Sequence, residues 1–259
     1  MAVISVCNHK GGTGKTTTSI HIAAALKLVG YKTLVVDLDP QGYLTCTMDI
    51  NSSDIVHASG HLFQPNTDLS DVEPLQLPAF DLLPSGDGMN RHAGKLTSVT
   101  DLFWIKEALQ HQSIYDVIIL DTAAAVSVYV LNAMISADIL LIPVTPELQS
   151  IHGASQTWNT AKEVRKKWNP GLKKAMFLLT NVHGRKNIHR QYSQYMRQKY
   201  DNLVMDTVIR TCSSLSEISR EGRTIFDTHL TSRGAKDYAA TVDELIRYAL
   251  PSEEKYRGT

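Results

Sequence analysis

The sequence predicts an α/β fold, a doubly wound, mostly parallel β-sheet flanked by helices. Three observations predict it. Short runs rich in Val, Ile and Leu recur along the chain and are mostly continuously apolar rather than alternating, the pattern of strands covered on both faces. Segments of helical periodicity lie between most of them, and alternation of that kind builds a parallel sheet. A glycine-rich turn follows directly on the first run and opens the first helix. A chain of 259 residues is ordinary for one such domain, so a single unit over residues 1–259 is expected.

The strand candidates come in order: Val3–Cys7, Thr33–Asp37, Phe80–Leu83, Val117–Leu120, Ile139–Pro143, Ala175–Leu179 and Met205–Ile209. After the glycine-rich turn, Ile22, Leu26 and Val29 recur at i, i+4 and i+7, and Gly30 stands where a helix C-terminal cap belongs. Residues 50–78 are the least periodic stretch and are expected to hold loops and short irregular pieces. The final helix is expected to break at Pro251.

Formal net charge is zero, but its distribution is uneven. Residues 155–235 carry 15 Lys and Arg against 6 Asp and Glu, leaving 11 against 20 elsewhere, so a basic face is expected on an acidic body. Cys7, Cys46 and Cys212 are too few and too scattered for a disulfide framework or a zinc site. The opening residues carry no export signal and no apolar run is long enough to span a bilayer, so a reduced, cytoplasmic protein is expected. His57 and His61 sit at i, i+4 but lack a third ligand nearby and read as an incidental pair.

The turn after the first strand reads NHKGGTGKTTT, residues 8–18. It carries the G-K-[ST] close of a phosphate loop, Gly14-Lys15-Thr16, in the strand–turn–helix context that the chemistry needs, with His9 standing where G-x-x-x-x-G-K-[ST] begins on glycine. Backbone N–H groups from Gly11, Gly12, Thr13, Gly14, Lys15, Thr16 and Thr17 would cradle phosphate oxygens at the positive end of a helix. Lys15 would reach the β- and γ-phosphates, and the Thr16 hydroxyl would join a Mg²⁺ shell. ATP and Mg²⁺ are the expected ligands.

Two acidic strand ends supply the rest. Asp121 closes YDVIILDT at the position of the aspartate that holds Mg²⁺ in P-loop NTPases. Asp37 and Asp39 close VVDLDPQG at the strand edge where open α/β sheets bind ligands. Asp39 is expected to orient the attacking water. For Asp37 two readings stand together, a place beside the metal or the capping of a turn before Pro40.

Lys10 is a second lysine in the same loop. Beside Lys15 on one phosphate it would meet a like charge. Directed outward, it would serve a nucleotide held by a second subunit, as an arginine finger does. A solvated surface lysine fits these residues equally well.

KGGTGKTTT resembles the deviant Walker A box of the ParA/MinD family, a P-loop NTPase group of the SIMIBI type. TLVVDLDPQG, FDLLPS, YDVIILDT, LLIPVTPE and the closing EISREGRTIFD and SRGAKDYAATVDELI follow in family order over nearly the whole chain. The resemblance implies that Lys10 is the signature lysine crossing an ATP-sandwich homodimer, making Lys10, Lys15 and Asp39 the catalytic set. It implies that Asn181 contacts adenine, while Thr16, Asp37 and Asp121 stay the candidate metal residues read from the loop and the strand ends. His9 stands where the family commonly has Gln, Ala123 and Ala124 where it has Pro-Pro or Pro-Ala, and His183 where Asp is frequent.

Within the family the membrane-binding branch ends in a basic amphipathic helix, which ALPSEEKYRGT does not supply. The iron–sulfur branch needs paired cysteines, and none occurs between Cys46 and Cys212. The basic segment points to duplex DNA bound without sequence preference. Lys186, Arg190, Gln194 and Arg197 fall on one helix face, with Arg185, Lys199, Arg220 and Arg223 as extensions. Lys162, Arg165 and Lys166 form a second face, the lesser choice. A solvated helix face is the plain alternative.

The expected protein is a ParA-type, nucleoid-associated partition ATPase, without the N-terminal helix-turn-helix extension of longer relatives. A ParB-like adaptor would stimulate its hydrolysis as it segregates plasmid or chromosome DNA. The same cycle positioning a protein assembly is one alternative. A metabolic synthetase on the same P-loop fold is the alternative from another class.

Overall fold

The computed structural model describes residues 1–86, 89, 98–217, 222–248 and 250. An eight-stranded sheet runs through them. Its strands are β1 (Ala2–Val6), β2 (Thr33–Leu38), β3 (Leu75–Gln76), β4 (Asp81–Leu83), β5 (Val117–Thr122), β6 (Ile139–Val144), β7 (Lys174–Val182) and β8 (Val204–Arg210). Their order is β3-β4-β2-β5-β1-β6-β7-β8, and every pairing is parallel except β3 with β4.

The helices are α1 (Lys15–Leu28), α2 (Tyr43–Thr47), α3 (Trp104–Ala108), α4 (Val128–Ser136), α5 (Leu148–Lys167), α6 (Asn187–Tyr200), α7 (Ser213–Glu217), α8 (Ile225–Thr228) and α9 (Arg233–Tyr248). Apolar packing on both faces of the sheet explains the unbroken apolar runs. In β5, Val117 and Ile119 pack with Ile22 and Leu26 of α1 and Val242 and Leu245 of α9. Their neighbours Ile118 and Leu120 pack with Tyr129 and Ala133 of α4. A strand covered twice has no solvent face on which a polar residue can alternate.

Gly30 ends α1 as expected. Its φ of 95° is left-handed, its N–H donates to the Lys27 carbonyl, and the Tyr31 N–H reaches back to Leu26. β3 was not foreseen. Two residues carry no period, and this edge strand forms only by antiparallel pairing with β4. The expected helix break at Pro251 lies outside the described residues.

The topology sets where chemistry can occur. From β1 the chain crosses to β2, later inserts β5 between them, and then places β6 on the other side of β1. The carboxyl ends of β1, β5 and β2 therefore adjoin at the point where the winding reverses, where such sheets bind ligands. In register, Val6 pairs with Asp121, and Asp121 pairs on its other side with Asp37.

Candidate nucleotide site

The loop between β1 and α1 closes as a tight cradle. Gly12 and Gly14 hold left-handed φ values of 73° and 83°, which side-chain-bearing residues rarely adopt. Thr13 is buried, and its carbonyl accepts a hydrogen bond from the Thr180 hydroxyl at 2.8 Å, tying the cradle to β7. Lys15 is 8% exposed, and its ammonium donates to the Lys10 carbonyl at 3.4 Å across the loop. Burial lowers the Lys15 pKa, against which the Asp121 charge acts.

Thr16 donates to Asp121 Oδ2 at 2.8 Å and Ser19 donates to Oδ1 at 2.7 Å. Asp121 is fully buried, and burial pushes its pKa up to about 6, although Ser19, Thr16 and Lys15 pull it down. Asp37 is pushed up to about 7, by burial first and then by the Asp121 charge. Two buried carboxyls that resist ionisation beside a threonine hydroxyl form a donor set whose charge a divalent cation would offset, so the residues present fit Mg²⁺. Thr16 and Asp121 are the residues to hold it.

Asp37 holds a turn together. Its Oδ1 accepts the Asp39 N–H at 3.1 Å, and its Oδ2 accepts the N–H and hydroxyl of Thr45 at 3.0 and 2.7 Å. These bonds build the turn into α2, as the turn-capping reading of the sequence expects, and Oδ1 keeps a lone pair on the side of Asp121 for the metal reading. Asp39 differs. It is half-buried and lines a cavity of about 510 Å³ over the loop, with Lys15, Thr16 and Thr17 opposite. Its carbonyl is held by the Ser85 hydroxyl at 2.8 Å.

Lys10 leaves this cavity. It is exposed and lines a separate recess with His9, Leu148, Gln149, His152 and Gln156. Its N–H donates to Asn8 Oδ1 at 2.9 Å, and Asn8 Nδ2 donates to the Pro143 carbonyl at 2.7 Å. The His9 N–H donates to Thr157 of α5 at 2.9 Å. Gly153 of α5 sits so close that a Cβ there would stand 2.8 Å from both Asn8 Oδ1 and Lys10 Cβ.

On the other side of the loop, Asn181 lines a cavity of about 260 Å³ with Gly12, Thr17, Arg210, Cys212 and Tyr238. The two cavities share Gly12, Gly14 and Thr17, so they adjoin across the loop. Arg210 is fixed by Asp237, whose carboxylate accepts from Arg210 Nε at 3.0 and 3.1 Å and from its backbone N–H at 2.9 Å.

The expected DNA contacts are only partly brought together. Lys186 stands exposed at the N-terminal boundary of α6, and Arg190 stands exposed on it. Arg197 is half-buried, donating to the Asp206 carbonyl at 3.2 Å. Arg223 lies apart from α6, because the Gly222 turn packs it against the phosphate cavity beside Asp39 and Tyr43. Arg220 lies outside the described residues. His57 is engaged by the Glu73 N–H at 3.2 Å, and among the described residues no group of three or more His, Cys, Asp or Glu is placed to hold a metal. No helix among the described residues is long and apolar enough to cross a membrane.

Sequence reasoning missed Ser19, Thr45, Thr180 and Ser85. Ser19 follows Thr16 by three residues on α1, so helical spacing alone puts the two hydroxyls on one face. The other three act across 167, 46 and 8 residues of separation and leave no local signal.

The chain is similar to known proteins along its length. A family profile described as an AAA domain matches residues 1–174. The chromosome-partitioning ATPase Soj of Thermus thermophilus is 32% identical over 243 residues, covering 94% of each chain. The chromosome partitioning protein ParA of Myxococcus xanthus is 30% identical, covering 98% of this chain and 91% of that one. A solved cobyrinic acid a,c-diamide synthase of Mycobacterium smegmatis, with bound ATP analog and magnesium, superposes with a TM-score of 0.80. It is 26% identical and covers 97% of this chain and 99% of that one. A mostly parallel sheet with a phosphate loop at its switch point agrees with all of these, and this chain belongs to the ParA/Soj/MinD family of AAA-domain ATPases.

Proposed function

We propose that the chain is a partition ATPase in which ATP joins two copies face to face, the pair holds duplex DNA without reading its sequence, and hydrolysis releases it. The observation that carries this reading is the divergence of two lysines from one loop. Lys15 is buried over its own cradle, whereas Lys10 is exposed on the far side of the loop and outside the phosphate cavity. An outward lysine at that place suits a triphosphate held by a second copy, where its charge would be felt most during γ-phosphoryl transfer.

In this reading the backbone N–H groups of residues 11–17 and the Lys15 ammonium grip the phosphates. Asn181 lies against the nucleoside. Asp39 orients the attacking water, its turn fixed by Asp37 and Ser85. Thr16 and Asp121 would hold Mg²⁺, which would supply charge neutralisation to the phosphates. Lys186 and Arg190 on α6, with Arg197 beside them, meet DNA phosphates, and a ParB-like adaptor speeds hydrolysis. The cargo is plasmid or chromosome DNA, and the protein works in the cytoplasm on the nucleoid.

The test is a gel shift on arbitrary duplex DNA with ATP, ADP or no nucleotide, paired with sedimentation of wild type and Lys10→Ala. Retardation and dimerisation with ATP alone, both lost in Lys10→Ala, are expected. Unchanged turnover and pairing in Lys10→Ala would overturn the reading. The likeness to a diamide synthase favours a second one, an amide-forming synthetase, and the absence of retardation in every nucleotide state would move the assignment there.

A further inference from the structure

A basic recess with an apolar floor lies at the edge of the sheet opposite the nucleotide. β7 begins at Lys174 and β8 at Val204, so the residues leading into them mark the amino edge. The last turns of α5 descend to the same edge. Between them opens a cavity of about 560 Å³. Trp158, Ala161, Leu172 and Leu203 give it an apolar floor, and Trp158 is anchored edge-on against Phe177 with ring centres 6.3 Å apart. Lys162, Arg165, Lys166, Lys173 and Lys174 surround it, and among the described residues that line it none is acidic.

We propose that this recess docks an acidic peptide segment carrying one aromatic or branched apolar anchor, contributed by a protein partner. Charge complementarity selects the occupant. Five cations around one opening repel one another and attract carboxylates. Lys173 finds Asp138 at 3.0 Å, and Lys162 leans over the Trp158 ring at 5.9 Å, which leaves the rim strongly positive. The floor selects the anchor, since an apolar hollow of this size gains from a side chain that fills it and excludes water. Duplex DNA matches the rim alone. Its backbone presents charge at a fixed spacing and brings no apolar group to the hollow. Being on the opposite edge from the phosphate loop, the recess can be filled while nucleotide is bound.

The experiment uses the full chain with Mg-ATP and fluorescence anisotropy of a labelled peptide rich in Asp and Glu around a central Trp. The same peptide with Ser for Trp, and a labelled duplex of arbitrary sequence, are run alongside. Lys162→Glu with Lys166→Glu reverses two exposed rim charges without opening the core, and ATPase turnover reports that the fold is kept. The expected result is peptide binding weakened about tenfold by the double reversal and at least several-fold by loss of the Trp, with duplex retention unchanged. Loss of duplex retention without peptide binding would make the recess part of the DNA face and overturn the proposal. Equal peptide binding by wild type and variant, or none by either, would overturn it as well. A failure here leaves the ATP-dependent gel shift of wild type untouched, so the two readings fall separately.

Discussion

Gly153→Ala places one methyl group where α5 meets the start of the phosphate loop. The new Cβ would lie 2.8 Å from Asn8 Oδ1, 2.8 Å from Lys10 Cβ and 3.1 Å from the Lys10 nitrogen. Carbon contacts relax at about 3.5–4.0 Å, so loop and helix must part by roughly 0.7 Å or more. Asn8 cannot follow freely, because its amide is held by the Pro143 carbonyl while its oxygen holds the Lys10 N–H. Overpacking of this kind costs about 1–3 kcal/mol, and replacing a mid-helix glycine by alanine returns about 1 kcal/mol. Net destabilisation is then at most about 2 kcal/mol, a fall in Tm of only a few degrees for a chain of this length.

Turnover should suffer far more. A displacement of about 1 Å in a positioned group can cost about a hundredfold in rate, and Lys10 is the residue displaced. Nucleotide affinity should fall less than turnover, since the atoms nearest the new methyl belong to Asn8 and Lys10 rather than to the cradle of residues 11–17. Steady-state phosphate release, nucleotide titration and a thermal melt together read all three quantities. Wild-type turnover with an unchanged melt would show that α5 does not clamp the loop, and the reasoning would fail.

Asp39→Ala should abolish most phosphate release while leaving ATP bound, and a variant that hydrolyses at the wild-type rate would remove Asp39 from water activation. Asp237→Ala strips the acceptor from the Arg210 side chain and backbone N–H, and should cost about 1–3 kcal/mol in urea unfolding, discounted because Arg210 is half exposed. An unchanged midpoint would make that pair irrelevant to stability. His21 is buried, donates through Nδ1 to the Thr17 carbonyl at 2.7 Å, stacks on Tyr238, and has its pKa lowered to about 4, chiefly by burial. The unfolded chain therefore takes up the proton first, so this group's contribution is intact above about pH 6.5 and is lost as pH falls towards 4, by up to about 3 kcal/mol. Asp37 and Asp121, with raised pKa values, act in the opposite sense, so the measurement is the difference between wild type and His21→Asn unfolding across that window. A difference that stays constant with pH would contradict the burial argument.

Much of the candidate phosphate site was legible in the chain itself, because its parts are contiguous or sit at strand ends. The glycine-rich loop of residues 11–17 is continuous in the chain, and Asp121 and Asp39 are marked by the apolar runs they terminate. The winding of the sheet then brings those strand ends together, and alternation of strands and helices already implied that winding. The two-residue β3 and the carboxyl extension of β7 through Asn181 were invisible, since each depends on a neighbouring strand rather than on a period of its own.

What the order of residues determined alone was the set of chemical groups: a glycine-rich loop between strand and helix, two lysines in that loop, acids at strand ends, and a basic segment. Tertiary structure decided which way those groups face. It set Lys10 outside the cavity against Gly153, tied both oxygens of Asp37 into a turn, placed Arg223, an extension of the basic stripe in the sequence reading, at the mouth of the candidate nucleotide cavity, and gathered Lys162, Arg165 and Lys166 with Lys173 and Lys174 around Trp158. The physical reason is that spacing along the chain fixes orientation only within one element, whereas packing between elements, closed by contacts over a hundred residues apart, sets the direction of every side chain at their borders.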